Sequence, residues 1–153
     1  MTYTFIHPTK SGGTAIELYM NKYYSDYITG RGHGNICTNY NNPIIVVRDV
    51  KSRFISMYKY WKNGAIDTRF KRDINWRKKY KNFTILDFIN MLKFNKKKLY
   101  SGFTWNQHFN STSSWINNTD YKNIIIIKYD NNLNKKIHQL IDKLNIPNKN
   151  IPL

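Results

Sequence analysis

Two short runs constrain the fold of this chain more than anything else in it. Ile44-Ile45-Val46-Val47, opened by Pro43, and Ile124-Ile125-Ile126-Ile127 are apolar at every position. β-Branched side chains favour extended backbone. A strand with one wet face alternates in sequence, so an uninterrupted apolar run points to a strand buried in a parallel sheet. Parallel neighbours need crossovers, and the intervening segments carry helical spacing. Ile16, Tyr19, Met20 and Tyr23 predict a helix from Thr14 to about Tyr24. Val50, Phe54, Met57, Tyr58 and Trp61 predict a second, ending before Gly64, with Asp49 as a fair N-cap. Ile85, Phe88, Ile89 and Leu92 mark a third over Thr84 to Lys93, and Leu133, Ile137, Leu140, Ile141 and Leu144 a last one. Tyr3 to His7 reads as the first strand. The expectation is a single α/β domain over residues 1–153, long enough for one core.

The net charge of +16 directs attention to an acidic ligand or substrate. Arg69 to Lys81 holds seven Lys or Arg and one acid, has poor periodicity, and is expected to be irregular; Lys96 to Lys98 is a shorter basic run. Gly102 to Asn118 reads as loop, with Trp105, His108, Phe109 and Trp115 embedded in it. Cys37 is the only cysteine, so an internal disulfide and a thiolate metal cluster are excluded. His7, His33, His108 and His138 lack zinc-site spacing, and no metal is expected. There is no signal peptide and no apolar run of membrane length, so the expectation is a soluble, cytoplasmic chain.

Two loops carry the chemistry. Phe5-Ile6-His7 breaks at Pro8, and Lys10-Ser11-Gly12-Gly13 follows before helical spacing begins. Glycines let backbone amides approach an anion, a helix start presents unpaired N–H groups, and Lys10 adds positive charge. A nucleotide P-loop places its Lys after the second glycine, whereas Lys10 precedes the pair, so a Mg²⁺-dependent kinase or NTPase loses support. Gly30 to Gly34, Gly-Arg-Gly-His-Gly, is expected to be loop. The second loop follows Val47. Arg48 stands at the carboxyl end of the apolar strand, where ligands of parallel sheets bind, and a guanidinium there can grip a phosphate bidentately. Ser56 lies eight residues on, with Arg53 as an alternative anion ligand.

Phe5 to Thr14 resembles the 5′-phosphosulfate loop of sulfotransferases, closest to the carbohydrate enzymes of the heparan-sulfate 2-O/6-O type, whose usual form is F-x-H-x-P-K-T-G-G-T-S. Val46 to Tyr58 resembles their 3′-phosphate motif, R-D-P-x-x-R-x-x-S-x-Y, with Arg48, Asp49, Arg53, Ser56 and Tyr58 in register. Phe83 to Phe88, His108-Phe109 with Ser113 to Ile116, and Ile127 to Leu133 resemble later segments of the family. Thr9, Ala15 and Val50 depart from its pattern, and Asn110-Ser111-Thr112 interrupts the later loop.

The resemblance implies a P-loop-like three-layer sandwich, a central parallel sheet flanked by helices. It implies a minimal sulfotransferase domain that moves a sulfuryl group from 3′-phosphoadenosine 5′-phosphosulfate (PAPS) to an acceptor hydroxyl, with a glycan, anionic glycans included, as the expected acceptor. Cofactor contacts then fall on Lys10, Ser11, Gly12, Gly13, Thr14, Arg48 and Ser56. Lys10 would meet charge on the leaving oxygen. His33 is the first candidate for general base, His108 the second and Glu17 a third. Two other functions compete: a basic nucleic-acid-binding module, supported by charge and aromatic content but lacking any nucleic-acid motif, and a homologue that binds the nucleotide without catalysis.

Overall fold

The computed structural model describes residues 1–8, 10–32, 42–63, 78–94 and 124–153. They fall in two compact units, 1–49 with 110–153 and 50–109. The strands are β1 (Tyr3–Ile6), β2 (Ile28–Gly30), β3 (Pro43–Val47) and β4 (Ile125–Lys128), and the principal helices α1 (Gly13–Tyr23), α2 (Val50–Asn63), α3 (Ile85–Phe94) and α4 (Leu133–Lys143). The fold is α/β, a four-stranded parallel sheet flanked by helices, with strand order β2-β1-β3-β4.

In the first unit Ile44, Ile45 and Val46 are fully buried, as expected for a strand with β1 on one side and β4 on the other. The second apolar run also forms a strand, but it is not buried throughout. Ile127 packs into the core, whereas Ile126 is 59% exposed. β4 is the outermost strand among the described residues, and alternate side chains point to opposite faces. Phe5, Ile16, Met20, Ile28, Ile137 and Ile141 complete a core between sheet and helices. The chain's last residues close over α1 and α4. The Tyr19 hydroxyl donates to the Ile151 carbonyl (2.5 Å), the Lys149 N–H to the Tyr24 hydroxyl (3.2 Å), and the Leu153 N–H to Asn134 Oδ1 (3.0 Å). Burial, aided by Tyr24, pushes the Tyr19 phenol up to about 12 and keeps it a donor.

β2 is the element that periodicity does not reveal. Ile28-Thr29-Gly30 is three residues long and ends in the glycine-rich stretch expected to be loop. It is a strand because its backbone pairs with Tyr3, Thr4 and Phe5. The Arg31 N–H continues this pairing to the Phe5 carbonyl (2.9 Å). Alternate N–H groups point outward, and α1 side chains meet them. Asn21 Oδ1 accepts from Gly30 N–H (3.2 Å), and Glu17 Oε1 from Gly32 N–H (2.7 Å).

The second unit has a small aromatic core of Met57, Tyr80 and Phe88, with Phe54, Tyr58 and Phe83 packed against it. Tyr80 meets Phe83 and Phe88 edge-on, with centroids at 5.1 and 6.4 Å, and the Tyr58 hydroxyl donates to the Phe83 carbonyl (2.8 Å). Of the basic stretch expected to be irregular, residues 78–81 are described, and 78–80 are helical with Tyr80 buried between exposed lysines. Tyr80 supplies the apolar anchor that charge counting overlooks.

Thr84 and Asp87 form a reciprocal cap on α3: the Thr84 N–H donates to Asp87 Oδ2 (2.8 Å), and the Asp87 N–H to Thr84 Oγ1 (3.2 Å). The Thr84 hydroxyl also donates to Asp87 Oδ2 (2.7 Å), and this bond first, with that of the Thr84 N–H, holds the Asp87 carboxyl below the usual carboxylate range. Thr84→Ala removes one half of the cap and is expected to lower Tm by about 2–4 °C, with Thr84→Ser close to the parent chain in the same melting experiment.

Candidate anion-binding site

The loop leaving β1 is shaped by its own hydrogen bonds. The Pro8 carbonyl accepts from both the Ser11 N–H (3.2 Å) and the Ser11 hydroxyl (2.6 Å), and Ser11 is buried. Two residues of the turn adopt left-handed backbone, Lys10 at φ 60° and Gly12 at φ 84°. Gly12 is the N-cap of α1 and offers no side-chain acceptor. Gly13, Thr14 and Ala15 therefore begin a helix whose first N–H groups have no acceptor within it. The first turn contains no acid, and Thr14 is exposed. Free amides and the positive end of the helix dipole meet here, with the exposed Thr14 in the same first turn, and an oxyanion needs such donors.

Packing explains why two glycines are required. A Cβ on Gly13 would overlap the His7 ring, and one on Gly12 would overlap the Tyr129 ring. Gly12 has the additional reason of its positive φ. Tyr129 follows β4, and its N–H donates to the Val47 carbonyl (2.7 Å). Its ring carries the Arg48 guanidinium at 4.9 Å from the centroid. Arg48 follows β3. Parallel pairing of β1, β3 and β4 thus brings Lys10 to Thr14, Arg48 and Tyr129 to one carboxyl edge of the sheet, although they are far apart in sequence.

Two acids of the first unit, Asp130 and Glu17, are already engaged. Asp130, next to Tyr129, is ion-paired with Lys136, whose ammonium hydrogen bond is the main cause holding the carboxyl below its ordinary range. Glu17 receives the Gly32 N–H on one oxygen, and its other oxygen lies 3.1 Å from His7 Nε2. His7 is 2% exposed.

Of the residues the sequence nominates, Lys10, Ser11, Gly12, Gly13, Thr14 and Arg48 share this edge. The Ser11 hydroxyl and amide serve the turn, so Ser11 shapes the cradle with both groups. Ser56 sits half-buried on α2, in the second unit, where Arg53 is buried and its guanidinium is lowered by desolvation. Thr9, His33, His108, Lys96 to Lys98 and residues 69–77 lie outside the described residues. Among the described residues no three His, Cys, Asp or Glu side chains converge as a metal site, and no helix is long and apolar enough to cross a membrane. Sequence reasoning treats Tyr129 only as part of a motif. Its place against Gly12 and Arg48 comes from strand pairing, and an aromatic residue directly after an apolar strand is the one signal that could have found it.

Comparisons with protein-family models, with curated proteins and with solved structures find no match to this chain. The site itself can hold one oxyanion on the cradle and offers a second cation, stacked on an aromatic ring, for another.

Proposed function

We propose that this chain is a sulfotransferase that uses PAPS and acts on an acceptor hydroxyl, with a glycan as the expected class. The observation that carries the proposal is the sharing of one sheet edge by the Lys10–Thr14 cradle and Arg48, linked through Tyr129. The donor set fits a nucleotide with anionic groups at both ends: amides and a cation at one point, a guanidinium at another, with the carboxylates of Asp130 and Glu17 already partnered. The fold proposed with it is the P-loop-like sandwich of that family.

The nucleotide supplies the sulfuryl group and departs as adenosine 3′,5′-bisphosphate. The amides of Gly12, Gly13 and Thr14 and the Thr14 hydroxyl bind the 5′ oxygens, on a loop that Ser11 shapes. Lys10 neutralises charge on the bridging oxygen as the bond to sulfur breaks. Arg48 binds the 3′-phosphate, and the sequence motif adds Ser56 to it. The acceptor proton goes to a general base, assigned to His33 first and His108 second on sequence grounds.

Thermal-shift titration tests this. Adenosine 3′,5′-bisphosphate at about a hundred times its Kd is expected to stabilise the chain by about 2.7 kcal/mol, a rise of several degrees, with AMP and ATP giving less. Arg48→Ala is expected to remove most of the preference over AMP. No shift, or an equal response to ATP, rejects the proposal, and an unchanged preference in Arg48→Ala rejects the role of Arg48.

A further inference from the structure

Glu17 is the one acid on the cradle helix that touches two other parts of the first unit. It lies one turn beyond the cradle. One carboxylate oxygen accepts from Gly32 N–H at 2.7 Å and the other faces His7 Nε2 at 3.1 Å. The His7 backbone N–H in turn donates to the Gly32 carbonyl (3.2 Å). Gly32 is therefore held through both its backbone groups, by residues that stand on either side of the cradle in sequence. His7 also lies directly beneath Gly13.

The spacing makes this a grip of matched repeats. Glu17 and Asn21 are one helical turn apart, about 6 Å along α1. The amides they receive, Gly32 and Gly30, are two residues apart, between about 6 and 7 Å along an extended chain. The order is reversed, 17 to 32 and 21 to 30, as it must be for a helix running back beside a parallel strand. Asn21 anchors the strand, and Glu17 anchors the residue that leaves it. In sequence the next residue is His33.

We infer that Glu17 is a positioning residue: its carboxylate ties the first turns of α1 to Gly32 just beyond β2, so that the anion cradle and the strand beside it are set as one piece. Its consequence for turnover rests on the sulfotransferase reading; the tie itself does not. The role is geometric, an acceptor at a given reach, and differs from the proton-accepting role that Glu17 could otherwise fill as a carboxylate near the site.

Two substitutions separate these roles. Glu17→Gln keeps the reach and the acceptor oxygen but loses the charge. Glu17→Asp keeps the charge but falls one methylene short. In the full chain, amide hydrogen exchange resolved by NMR is expected to show Gly32 exchanging at least about tenfold faster in Glu17→Asp than in the parent, with Glu17→Gln within about threefold. With PAPS as donor and a desulfated heparan glycan as acceptor, Glu17→Asp is expected to lose about 10- to 100-fold in kcat with the donor KM within about twofold, and Glu17→Gln to stay within about threefold. The reverse order, Asp active and Gln inactive, overturns the inference in favour of a base. Unchanged Gly32 exchange in Glu17→Asp also overturns it. Should the parent chain neither bind adenosine 3′,5′-bisphosphate nor turn over, the sulfotransferase reading fails, and the exchange order alone still decides whether Glu17 holds Gly32.

Discussion

A Gly12→Ala variant is expected to melt about 10 °C below the parent chain. Two costs meet at this position. The backbone is left-handed at φ 84°, which an L side chain adopts only with strain, on the order of 1–2 kcal/mol. The added methyl would also fall inside the Tyr129 ring. That ring cannot swing aside freely, because its backbone is paired to Val47 and its face carries Arg48. Overpacking of this kind costs about 1–3 kcal/mol. The sum, about 3 kcal/mol, corresponds to roughly 10 °C for a chain of this length. A Gly12→Ala/Tyr129→Ala double variant separates the two costs. Its loss should be smaller than the sum of the single losses, since removing the ring removes the overlap. A fall of less than about 2 °C in Gly12→Ala, or strict additivity in the double variant, shows that the ring does not set the residue at position 12.

Lys10→Asn isolates the charge from the backbone that carries it. Lys10 sits at φ 60°, a conformation that Asn tolerates better than most residues. The variant should therefore melt within about 2 °C of the parent or slightly above it. On the sulfotransferase proposal kcat should fall by about 10²–10³-fold, the usual cost of removing one group that meets developing charge. Affinity for adenosine 3′,5′-bisphosphate should fall by less than about tenfold, because the cradle amides and Arg48 remain. Lys10→Arg should recover part of kcat. A kcat within about threefold of the parent removes Lys10 from the chemical step. A loss confined to donor affinity makes it a binding residue only.

The division between what was legible in the sequence and what was not follows the range of the interactions. α1 and α4 are visible because their apolar residues repeat every 3.6 positions, and the repeat survives whatever packs against it. β3 is visible because Ile44 to Val47 is apolar on both faces, which a strand covered on both sides of its sheet requires. β4 is legible as a strand, but the exposure of one of its faces is not. The composition of Ile124 to Ile127 does not reveal that the strand lies at the end of the described sheet, nor that Ile126 is exposed. β2 carries no local signal, and three residues ending in Gly30 become a strand only through Tyr3 to Phe5.

The candidate site divides in the same way. Lys10, Gly12, Gly13 and Arg48 can be nominated from residue type and order, because the start of a helix and the end of an apolar strand are local events. The reasons for the two glycines are not local. They are the rings of Tyr129 and His7, one contributed by a strand more than a hundred residues away. Ser11 has a part that residue order does not show: the Pro8 carbonyl takes both its hydroxyl and its amide, so it shapes the turn.

The bonds from Asn21 and Glu17 to the outward amides of Gly30 and Gly32 also bear on how copies of this chain meet. β2 is the last strand on its side among the described residues, and a bare strand edge invites another molecule to add a strand of its own. Here the donors along that border are already occupied by a neighbouring helix, so annealing of a second copy would first have to displace them. One pair of polar side chains thus takes up the edge donors of Gly30 and Gly32 while tying α1 to the strand.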